Sequence, residues 1–482
     1  MSKRKKKKIV NIIGRIISII GIASLSMFIY NLFKLDLLPI KYILILIGII
    51  LFMYIIMYIF ILNKKIKLPI KIFSNIIVIL FSTIFILSNK YIERTISFFD
   101  KINNDLFQTE EYYLITLKEN DYNTIEDLNS KTVGFYNDNS TKNITKAVEK
   151  LGKKINFIEK DYDDIELLLD SLEKKQIDSI LINESVKNIV DESYSYILNI
   201  LNNITTIQVP IETSDIVKVV DVTTKPFNLL IIGSDSFGSI DKVSNADVNM
   251  LMTINSKTNE ILLTSIPRDY YVELYDTKGE KDKLTHAGYY GIETSVKTIE
   301  KLLDTKINYY VKINFSTVIK IVDLIGGIDI YSDYDFCDSG KVGCYKKGYN
   351  HLNGKQALAF ARERKSFHGG DRVRGQNQQK IIAAIINKMT TSTKIITKYN
   401  DILSSIEKSF QTNMDERSIS KLVKLQLSKM PKWEITNQSL DGEDKYVTRV
   451  YSFSNPKGIY VMEPKEESVL NAKNKIKEII EN

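Results

Sequence analysis

Residues 354–386 read GKQALAFARERKSFHGGDRVRGQNQQKIIAAII, and the fold of the chain is organised around them. The pattern predicts the end of one helix, a loop, and a second helix that soon turns apolar. Asp371 is the only acid between Glu363 and Ile386, so the cations here have few acidic neighbours at helical spacing. Guanidinium groups at a helix start suit a doubly charged phosphate, because their paired donors and the free backbone amides face one anion. The stretch therefore predicts a phosphate or pyrophosphate site that contains Arg362, Arg364, Arg372 and Arg374.

Length and composition set broad limits on what the chain can be. Its 482 residues, 44% hydrophobic and 26% charged, are enough for two or three domains. Much of the net charge of +8 lies beside apolar N-terminal segments, so it does not indicate nucleic-acid binding. The three histidines in the sequence argue against metal or triad chemistry built on histidine. Cys337 and Cys344 have no further cysteine to complete a zinc site, so a small disulfide and two free thiols both stay open.

Three apolar runs in residues 1–90 predict membrane helices. The cations KRKKKK at residues 3–8 precede the first run, Ile9–Tyr30, and the second run, Tyr42–Leu62, contains 21 residues without a charge. At about 1.5 Å per residue, the second run spans the ~30 Å hydrocarbon core of a bilayer. The third run, Phe73–Ser88, is shorter but equally apolar. Three runs argue against a cleaved signal peptide, which has one short apolar core.

The loops between these runs predict their orientation. Lysines dominate the N-terminus and the second loop, which has four lysines between residues 64 and 71 and no acid, whereas Asp36 accompanies two lysines in the first loop. Positive residues stay on the cytoplasmic side. We therefore expect a multi-pass cell-membrane protein with a cytoplasmic N-terminus and an extracellular region after about residue 90.

Residues 91–225 predict a connector and a small α/β domain. Residues 91–106 are read as an amphipathic connector, and strand and helix patterns then alternate from Tyr112 to Asn183. The segments EDLNSKTVGF and LLLDSLEKKQIDSILIN resemble one lobe of an extracytoplasmic solute-binding protein. No cluster of charged or aromatic residues marks a ligand, so a purely structural accessory domain is the alternative. Residues 211–225 are read as the linker that leaves it.

The main domain is predicted to occupy residues 226–482. The segments FNLLIIGSDS, DVNMLMTINS and EILLTSIPRD, which start at Phe227, Asp247 and Glu260, are three apolar strands with polar residues near their ends. Helices and further strands alternate after them, which predicts an α/β sandwich with its site along one edge of the sheet. Beyond Met389 the pattern is read as mostly helical, with one strand-like piece, YVTRVYSF, at residues 446–453.

Two carboxylates and one arginine from the strand ends complete the predicted site. Asp235 ends one strand and Asp247 starts the next, and adjacent strands bring such groups together. With phosphate and water, two carboxylates suit Mg²⁺, although either alone is more often a turn or cap residue. Arg268 follows Pro267 at the end of the third strand, where a lone arginine would more often form a surface ion pair.

The spacing within residues 354–386 sets a condition on the site. On a helix, Arg374 and Gln378 share one face at i,i+4. Arg362 and Arg364 share a face only in an extended segment, so the helix that starts at Gly354 must end near Arg362.

Together these segments resemble the LytR-CpsA-Psr family of cell-envelope enzymes. The resemblance runs in the family's order through LLIIGSDS, ADVNMLMTIN, LLTSIPRD, KLTHAGYYG, INYYVKINF, VDLIGGIDIY, HLNGKQALAFARERK and GDRVRGQNQQKI. The three apolar runs and the extra domain resemble the CpsA branch, which is associated with capsule attachment. The resemblance implies a Mg²⁺-dependent phosphotransferase that moves a glycopolymer, such as capsule or teichoic acid, from undecaprenyl pyrophosphate to peptidoglycan.

The resemblance also implies roles for individual residues. It makes Asp235 and Asp247 the magnesium-linked carboxylates. Asn245 departs from the family, which often has arginine two residues before the second aspartate, so one guanidinium of the usual set is missing. The implied catalytic groups are Arg268, Arg362, Arg364 and Asp371, the last as the base, and the implied pyrophosphate contacts are Lys283, Arg372, Arg374 and Gln378.

Two other functions stay open on the sequence alone. One is a lipid-pyrophosphate hydrolase with the same site and water as the acceptor. The other is a non-enzymatic envelope sensor or assembly partner, although the predicted cytoplasmic parts are too small for a signalling domain. The lipid tail of a substrate is expected on the apolar faces at residues 318–324 and 381–389, unless these belong to an ordinary core.

Overall fold

The computed structural model describes residues 3–63, 65–104, 107–136, 143–212, 216–234, 240, 244–391, 401–402 and 404–482. The chain forms two compact units. The first consists of Met1–Lys101, Tyr399–Ser404 and Asp415–Pro431, and the second contains the remaining residues.

The first unit contains three long helices, α1 (Lys3–Leu35), α2 (Ile40–Leu62) and α3 (Leu68–Asn104), and a shorter helix, Glu416–Lys429. Each of the three is long and apolar enough to cross a membrane over Lys8–Leu35, Ile40–Leu62 and Leu68–Phe98 respectively. All three apolar runs are therefore confirmed as helices. Most of the predicted connector, residues 91–104, is a continuation of α3, because these residues include no proline or glycine to end the helix.

The second unit begins with a five-stranded sheet in the order β3-β2-β4-β1-β5. Helices alternate with its middle strands, which confirms the predicted α/β pattern. The sheet is mixed, because β2 runs parallel to β3 and β4, while β1 runs antiparallel to β4 and β5. Its elements are β1 (Phe107–Leu117), β2 (Thr132–Tyr136), α4 (Ile144–Gly152), β3 (Ile158–Tyr162), α5 (Ile165–Glu173), β4 (Ser179–Asn183), α6 (Glu184–Ser193) and β5 (Leu201–Glu212).

The larger part of the second unit is built on a six-stranded mixed sheet, together with short strand pairs and helices. The elements before residue 354 are β6 (Phe227–Ser234), β7 (Val248–Asn255), β8 (Glu260–Ile266), β9 (Tyr271–Glu273), β10 (Lys281–Lys283), α7 (Ile292–Leu303), β11 (Tyr309–Asn314), α8 (Phe315–Leu324), β12 (Ile328–Ser332), β13 (Phe336–Cys337), β14 (Cys344–Tyr345) and β15 (Gly348–Leu352). The remaining elements are α9 (Gly354–Arg362), α10 (Asp371–Thr391), β16 (Phe410–Thr412), β17 (Glu434–Ser439), β18 (Gly442–Arg449), β19 (Ser454–Pro464) and α11 (Glu466–Glu481).

Helices cover this sheet, whose strand order is β16-β11-β6-β7-β8-β17. Leu230, Ile232 and Leu251 form one core cluster with side chains of α7 and α11. Alternate residues of a strand point to the opposite face. β6 is buried along its whole length, and α10 packs against β8 and β17 while α8 packs against β11. The α/β fold class is thus confirmed.

The prediction that the chain is mostly helical beyond Met389 is wrong. Residues 434–464 form β17, the outermost strand on one side of the main sheet, and the β18–β19 hairpin, and only Glu416–Lys429 and α11 are helical among the described residues after 406. The hairpin is stabilised by cross-strand pairs of aromatic and β-branched residues, such as Tyr446 opposite Tyr460, whose ring centroids lie 5.8 Å apart.

Candidate active site

Strand direction places the predicted site residues at one edge of the main sheet. β6 and β8 end at this edge, and the antiparallel β7 between them begins there, with Gly233 opposite Val248 and Asn249 opposite Ile266. β17 runs parallel to β8, so Ser439 ends beside Ser265. Residues just before β7 and just after β8 and β17 therefore come together, although they are far apart in sequence.

Asp247 and Arg268 form the innermost ion pair at this edge. Arg268 Nη1 donates to Asp247 Oδ1 at 2.5 Å, and both side chains are largely buried. Arg268 Nε lies 3.5 Å from Asp269 Oδ2, and Lys283 Nζ lies 3.5 Å from Asp269 Oδ1. Burial alone would lower the pKa of Arg268, but the charges of Asp247 and Asp269 outweigh it and raise that pKa. Arg268 is thus held as a buried cation.

The first turn of α10 supplies a second pair. Arg374 Nη2 lies 2.5 Å from Asp371 Oδ1. Burial lowers the pKa of Arg374, and Asp371 opposes that effect. An arginine nevertheless stays charged at neutral pH. A cavity of about 160 Å³, here called the arginine pocket, is lined by residues that include Asp247, Asn249, Arg268, Asp371, Arg372, Arg374, Gln378, Ser439 and Asp441.

Arg372 lines the same pocket but is tied to its rim. Its Nε donates to Asp441 Oδ1 at 2.8 Å, and its Nη2 donates to the Gly442 carbonyl at 2.7 Å and to Asp444 Oδ1 at 3.2 Å. The sequence predicts few acidic neighbours at helical spacing, and the carboxylates that pair with Arg372 instead come from Asp441 and Asp444, about 70 residues away. Arg374 pairs with Asp371, the only acid between Glu363 and Ile386.

Arg362 and Arg364 lie outside the arginine pocket. Helix α9 ends at Arg362, as the predicted site requires, because Glu363 has extended backbone. The guanidinium carbon of Arg362 lies 4.3 Å from the centroid of the Phe315 ring, and Arg364 is exposed. The structure thus brings Arg268, Arg374 and Lys283 together with Asp247, Asp269 and Asp371, and leaves Arg362 and Arg364 as an outer, exposed pair.

The segment that carries Arg362 and Arg364 is held by a disulfide-bonded hairpin. Cys337 and Cys344 form a disulfide that joins β13 to β14. Buried Glu363 accepts from the backbone amides of Ser339 at 2.6 Å and Ser366 at 2.9 Å, and Ser366 Oγ donates to the Cys337 carbonyl at 3.0 Å. Burial would raise the pKa of Glu363, but these backbone donors outweigh it and lower that pKa.

Three buried oxygen atoms near the inner pair have no hydrogen-bond partner among the described residues. They are Asn245 Oδ1, Asp247 Oδ2 and Asn249 Oδ1. Buried polar atoms are normally paired, and these three are acceptors only, so they suit a hard cation or a ligand hydroxyl rather than a phosphate oxygen. Asp247 thus fits the predicted Mg²⁺. The described residues contain no group of three His, Cys, Asp or Glu side chains placed to hold a metal, and Asp235 lies outside the described residues.

Gly288 sets the path of the backbone that leads to Asp247. A Cβ atom at Gly288 would lie 2.3 Å from the Ser244 carbonyl oxygen and 2.8 Å from Ala246 N. The Ala246 amide donates to the Thr285 carbonyl at 3.0 Å. The segment Leu284–Tyr290 therefore packs directly on the residues that position Asn245 and Asp247.

Sequence reasoning missed Asp269 and Asp441. Asp269 is buried and lies between Arg268 and Lys283, and its position directly after Arg268 at a strand end was the available signal. Asp441 follows β17, in a region that the sequence pattern predicted to be mostly helical. Its position at the sheet edge could therefore not be predicted from the sequence.

Two named transferases are among the known proteins that this chain resembles in sequence. A transferase of Bacillus cereus (strain AH820), named polyisoprenyl-teichoic acid–peptidoglycan teichoic acid transferase TagU, is 39% identical over 193 residues, which are 40% of this chain and 62% of that protein. A protein of the same name from Bacillus licheniformis is 38% identical over 190 residues, 39% of this chain and 60% of that protein. The chain thus spans about three fifths of the length of these relatives.

Among solved structures, the crystal structure of B. subtilis TagV is similar at 29% identity with a TM-score of 0.45, over 54% of this chain and 98% of that chain. B. subtilis TagU is similar at 30% identity with a TM-score of 0.42, over 54% and 98% of the two chains.

The profile of the LytR_cpsA_psr family matches residues 194–478, more than half of the chain, and the chain belongs to this family. The family predicted from the sequence motifs is confirmed.

Proposed function

We propose that this chain is a membrane-anchored phosphotransferase that joins a polyprenyl-pyrophosphate-linked glycopolymer to peptidoglycan. The observation that carries the proposal is the arginine pocket, where buried Arg268 and Arg374 lie beside unpartnered oxygen atoms of Asp247 and Asn249. Guanidinium donors suit the pyrophosphate, and the oxygen atoms suit its counter-cation. The names of the relatives, which are teichoic acid transferases, support the same activity.

Charge balance explains why the pocket would take a cation together with the pyrophosphate. Arg268, Arg374 and Lys283 face Asp247, Asp269 and Asp371, so three cations already face three carboxylates. A pyrophosphate diester adds about two negative charges. We propose that Asp247, with Asp235, holds Mg²⁺ there. When bound, the ion would spread the charge of the transferring phosphoryl group.

The residues of the chain supply the remaining parts of the reaction. Arg268 and Arg374 donate to the pyrophosphate and stabilise the charge that develops on it. A sugar hydroxyl oxygen attacks the glycan-side phosphorus, and the bond from that phosphorus to the bridging oxygen breaks. Asp371 accepts the hydroxyl proton. Polyprenyl phosphate leaves with the bridging oxygen, and a phosphodiester joins the glycopolymer to the acceptor.

Arg362 and Arg364 form an outer contact in this proposal. They are exposed and do not line the arginine pocket, which suits binding of phosphate or glycan outside the pocket rather than at the reacting phosphorus. Arg372 and Gln378 are proposed to contact the pyrophosphate from the walls of the pocket, and Lys283, which lies beside Asp269, is proposed as a further contact. Arg372 must release Asp441 or Asp444 to do so.

We propose that the chain is anchored by α1, α2 and α3 with its N-terminus in the cytoplasm and residues after α3 outside. The lysine-rich N-terminus and second loop support this orientation. The Cys337–Cys344 disulfide also supports it, because such bonds persist in oxidising compartments.

The experiment uses the full chain in nanodiscs with an undecaprenyl-pyrophosphate-linked glycan and un-cross-linked peptidoglycan. We expect a glycan joined to peptidoglycan through a phosphodiester, detected by mass spectrometry, and its loss in Arg268→Ala and Arg374→Ala chains. Release of free glycan phosphate without the joined product would instead assign the hydrolase. Polymer attachment retained in cells that carry Arg268→Ala with Arg374→Ala would favour the non-enzymatic partner.

A further inference from the structure

A second, larger cavity adjoins the arginine pocket. It measures about 730 Å³ and lies where β17 ends, β18 begins, β19 ends and α11 begins. We call it the acidic groove. Its walls carry five carboxylates and two lysines together with serine, asparagine and glutamine side chains, so acids exceed cations by three.

The two cavities share Ser439 and Asp441. Asp441 is the wall between them, because Arg372 donates to its Oδ1 at 2.8 Å from the pocket side and Lys465 donates to its Oδ2 at 2.8 Å from the groove side. Tyr270 Oη also donates to the Asp441 carbonyl at 2.7 Å. The wall is thus fixed at three points, and a molecule in the groove lies next to a molecule in the pocket.

Charge separates the two cavities. The arginine pocket holds the guanidinium groups that suit a pyrophosphate, whereas the excess of carboxylates in the groove repels an anionic donor. The side chains in the groove are hydrogen-bond acceptors and donors of the kind that bind sugar hydroxyl and amide groups. The groove therefore suits a hydroxyl-rich molecule that carries no net negative charge.

Part of the groove is held rigid by ion pairs and part is exposed. Glu463 lies 2.9 Å from Lys281 Nζ and 3.2 Å from Lys445 Nζ, which fixes one rim. Glu443, Glu466 and Glu467 are exposed on the other sides. An exposed carboxylate beside an ordered rim can accept hydrogen bonds from a ligand without a large rearrangement.

We propose that the acidic groove binds the acceptor glycan, an amino-sugar oligosaccharide, and directs one of its hydroxyl groups past Asp441 into the arginine pocket. This inference rests on the proposed function, and it names the acceptor side of the same reaction.

A binding experiment tests the groove apart from turnover. The full chain in nanodiscs is titrated with a β-1,4-linked N-acetylglucosamine tetramer and followed by ligand-observed NMR. We expect Glu443→Gln and Glu466→Gln with Glu467→Gln to weaken binding by about threefold to tenfold, since each lost contact contributes about 1 kcal/mol. Glu443→Gln, on β18, leaves the first turn of α11 intact, so its effect does not depend on the stability of that helix. The matched control, Glu126→Gln with Glu149→Gln, removes exposed carboxylates from a short 3-10 helix and from α4, which do not line the groove, and should bind as the parent does.

The excess of carboxylates in the groove leads to a second, independent prediction, which concerns the charge of the ligand. A de-N-acetylated tetramer, which carries amines, should bind about threefold or more tighter than the N-acetylated tetramer, and a carboxylated tetramer should bind more weakly. Raised salt should reduce the difference. Parent-like binding by the variants, or equal binding of the carboxylated tetramer, would overturn the inference.

Kinetics separate failure of this inference from failure of the proposed function. With donor and acceptor varied in turn, the groove variants should raise the KM for the acceptor and leave the KM for the donor within about twofold of the parent. A parent chain that neither binds the donor nor releases polyprenyl phosphate would refute the proposed function. A parent chain with full transfer, and groove variants with an unchanged acceptor KM, would refute only the groove.

Discussion

Arg374 Nη2 lies 2.5 Å from Asp371 Oδ1 within the first turn of α10, so the proposed base and a proposed phosphate ligand neutralise each other before substrate binds. An incoming pyrophosphate competes with Asp371 for the same guanidinium group. Binding of the donor would then free the carboxylate at the moment when a proton acceptor is needed.

Replacement of the base tests this relationship directly. Asp371→Asn keeps the shape of the side chain but removes its charge, so we expect kcat to fall by about 10² to 10⁴ while the KM for the donor stays level or falls. Steady-state kinetics with the lipid-pyrophosphate donor measure both. A kcat equal to that of the parent would remove Asp371 from the role of base.

The inner ion pair predicts a stability effect that is separate from catalysis. Arg268→Met leaves the carboxylate of Asp247 buried without its partner, which we expect to lower the free energy of unfolding by about 3–5 kcal/mol. The double variant, Arg268→Met with Asp247→Asn, removes the uncompensated charge and should recover most of that loss. Denaturant unfolding of both variants is the measurement, and equal losses would contradict the explanation.

The unpartnered oxygen atoms predict a metal effect that does not depend on turnover. Mn²⁺, used as a spectroscopic substitute for Mg²⁺, should bind the full chain, and Asp247→Asn should weaken binding by about tenfold or more. Electron paramagnetic resonance of free Mn²⁺ measures the affinity. Asp304→Asn is the matched control, because Asp304 is exposed and its left-handed backbone also accommodates asparagine. Identical affinities for the parent and Asp247→Asn chains would exclude Asp247 as a ligand.

Asp441 predicts a pH dependence of stability. Hydrogen bonds from Lys465 and Arg372 lower its pKa to about 2, from 3.8. Because the folded-state pKa is the lower one, the stabilisation is present above about pH 3.8 and is lost as the pH falls towards 2. Asp441→Asn should therefore lower the midpoint temperature of unfolding at pH 6 but lower that temperature much less at pH 2. A difference that stays constant over this range would argue against these ion pairs.

The close packing of backbone against Gly288 predicts that a larger residue there destabilises the fold, although no polar group is lost. Gly288→Ala would press on the Ser244 carbonyl, displace the backbone before Asp247, and lower the free energy of unfolding by about 1–3 kcal/mol. Activity should fall as well, because Asp247 moves with that backbone. Gly152→Ala, at the end of α4, meets no atom within 4 Å and should be neutral or slightly stabilising.

Much of the fold could be predicted from local sequence patterns, because each of these patterns favours one kind of secondary structure. The three apolar runs, the alternation of strands and helices, and the end of α9 at Arg362 depend only on neighbouring residues. The position of the site at one edge of the sheet could be predicted. If the strand that ends near Ser234 and the strand that begins after Asp247 are adjacent and antiparallel, the end of the first and the start of the second lie at the same edge. Periodicity and strand direction therefore carried these predictions.

The failures involve contacts between distant segments. The sequence of β17, EITNQS, contains few apolar residues, because β17 is the outermost strand on one side of the sheet and is only partly buried. Without that strand, the sequence offered no reason to place Asp441 and Asp444 beside Arg372. The exposed position of Arg362 also could not be read from spacing, because it depends on the Phe315 ring, which lies in another helix.

The disulfide-bonded hairpin gives the outer arginine pair a maturation step. Glu363 lies between Arg362 and Arg364 in sequence and is held by the Ser339 amide inside the loop that Cys337 and Cys344 close. A newly made chain in a reducing compartment lacks this bond, so its outer arginines would not yet be in place. Under the proposed topology and function, the outer contact to the lipid-linked donor would form only after this domain has left the cytoplasm.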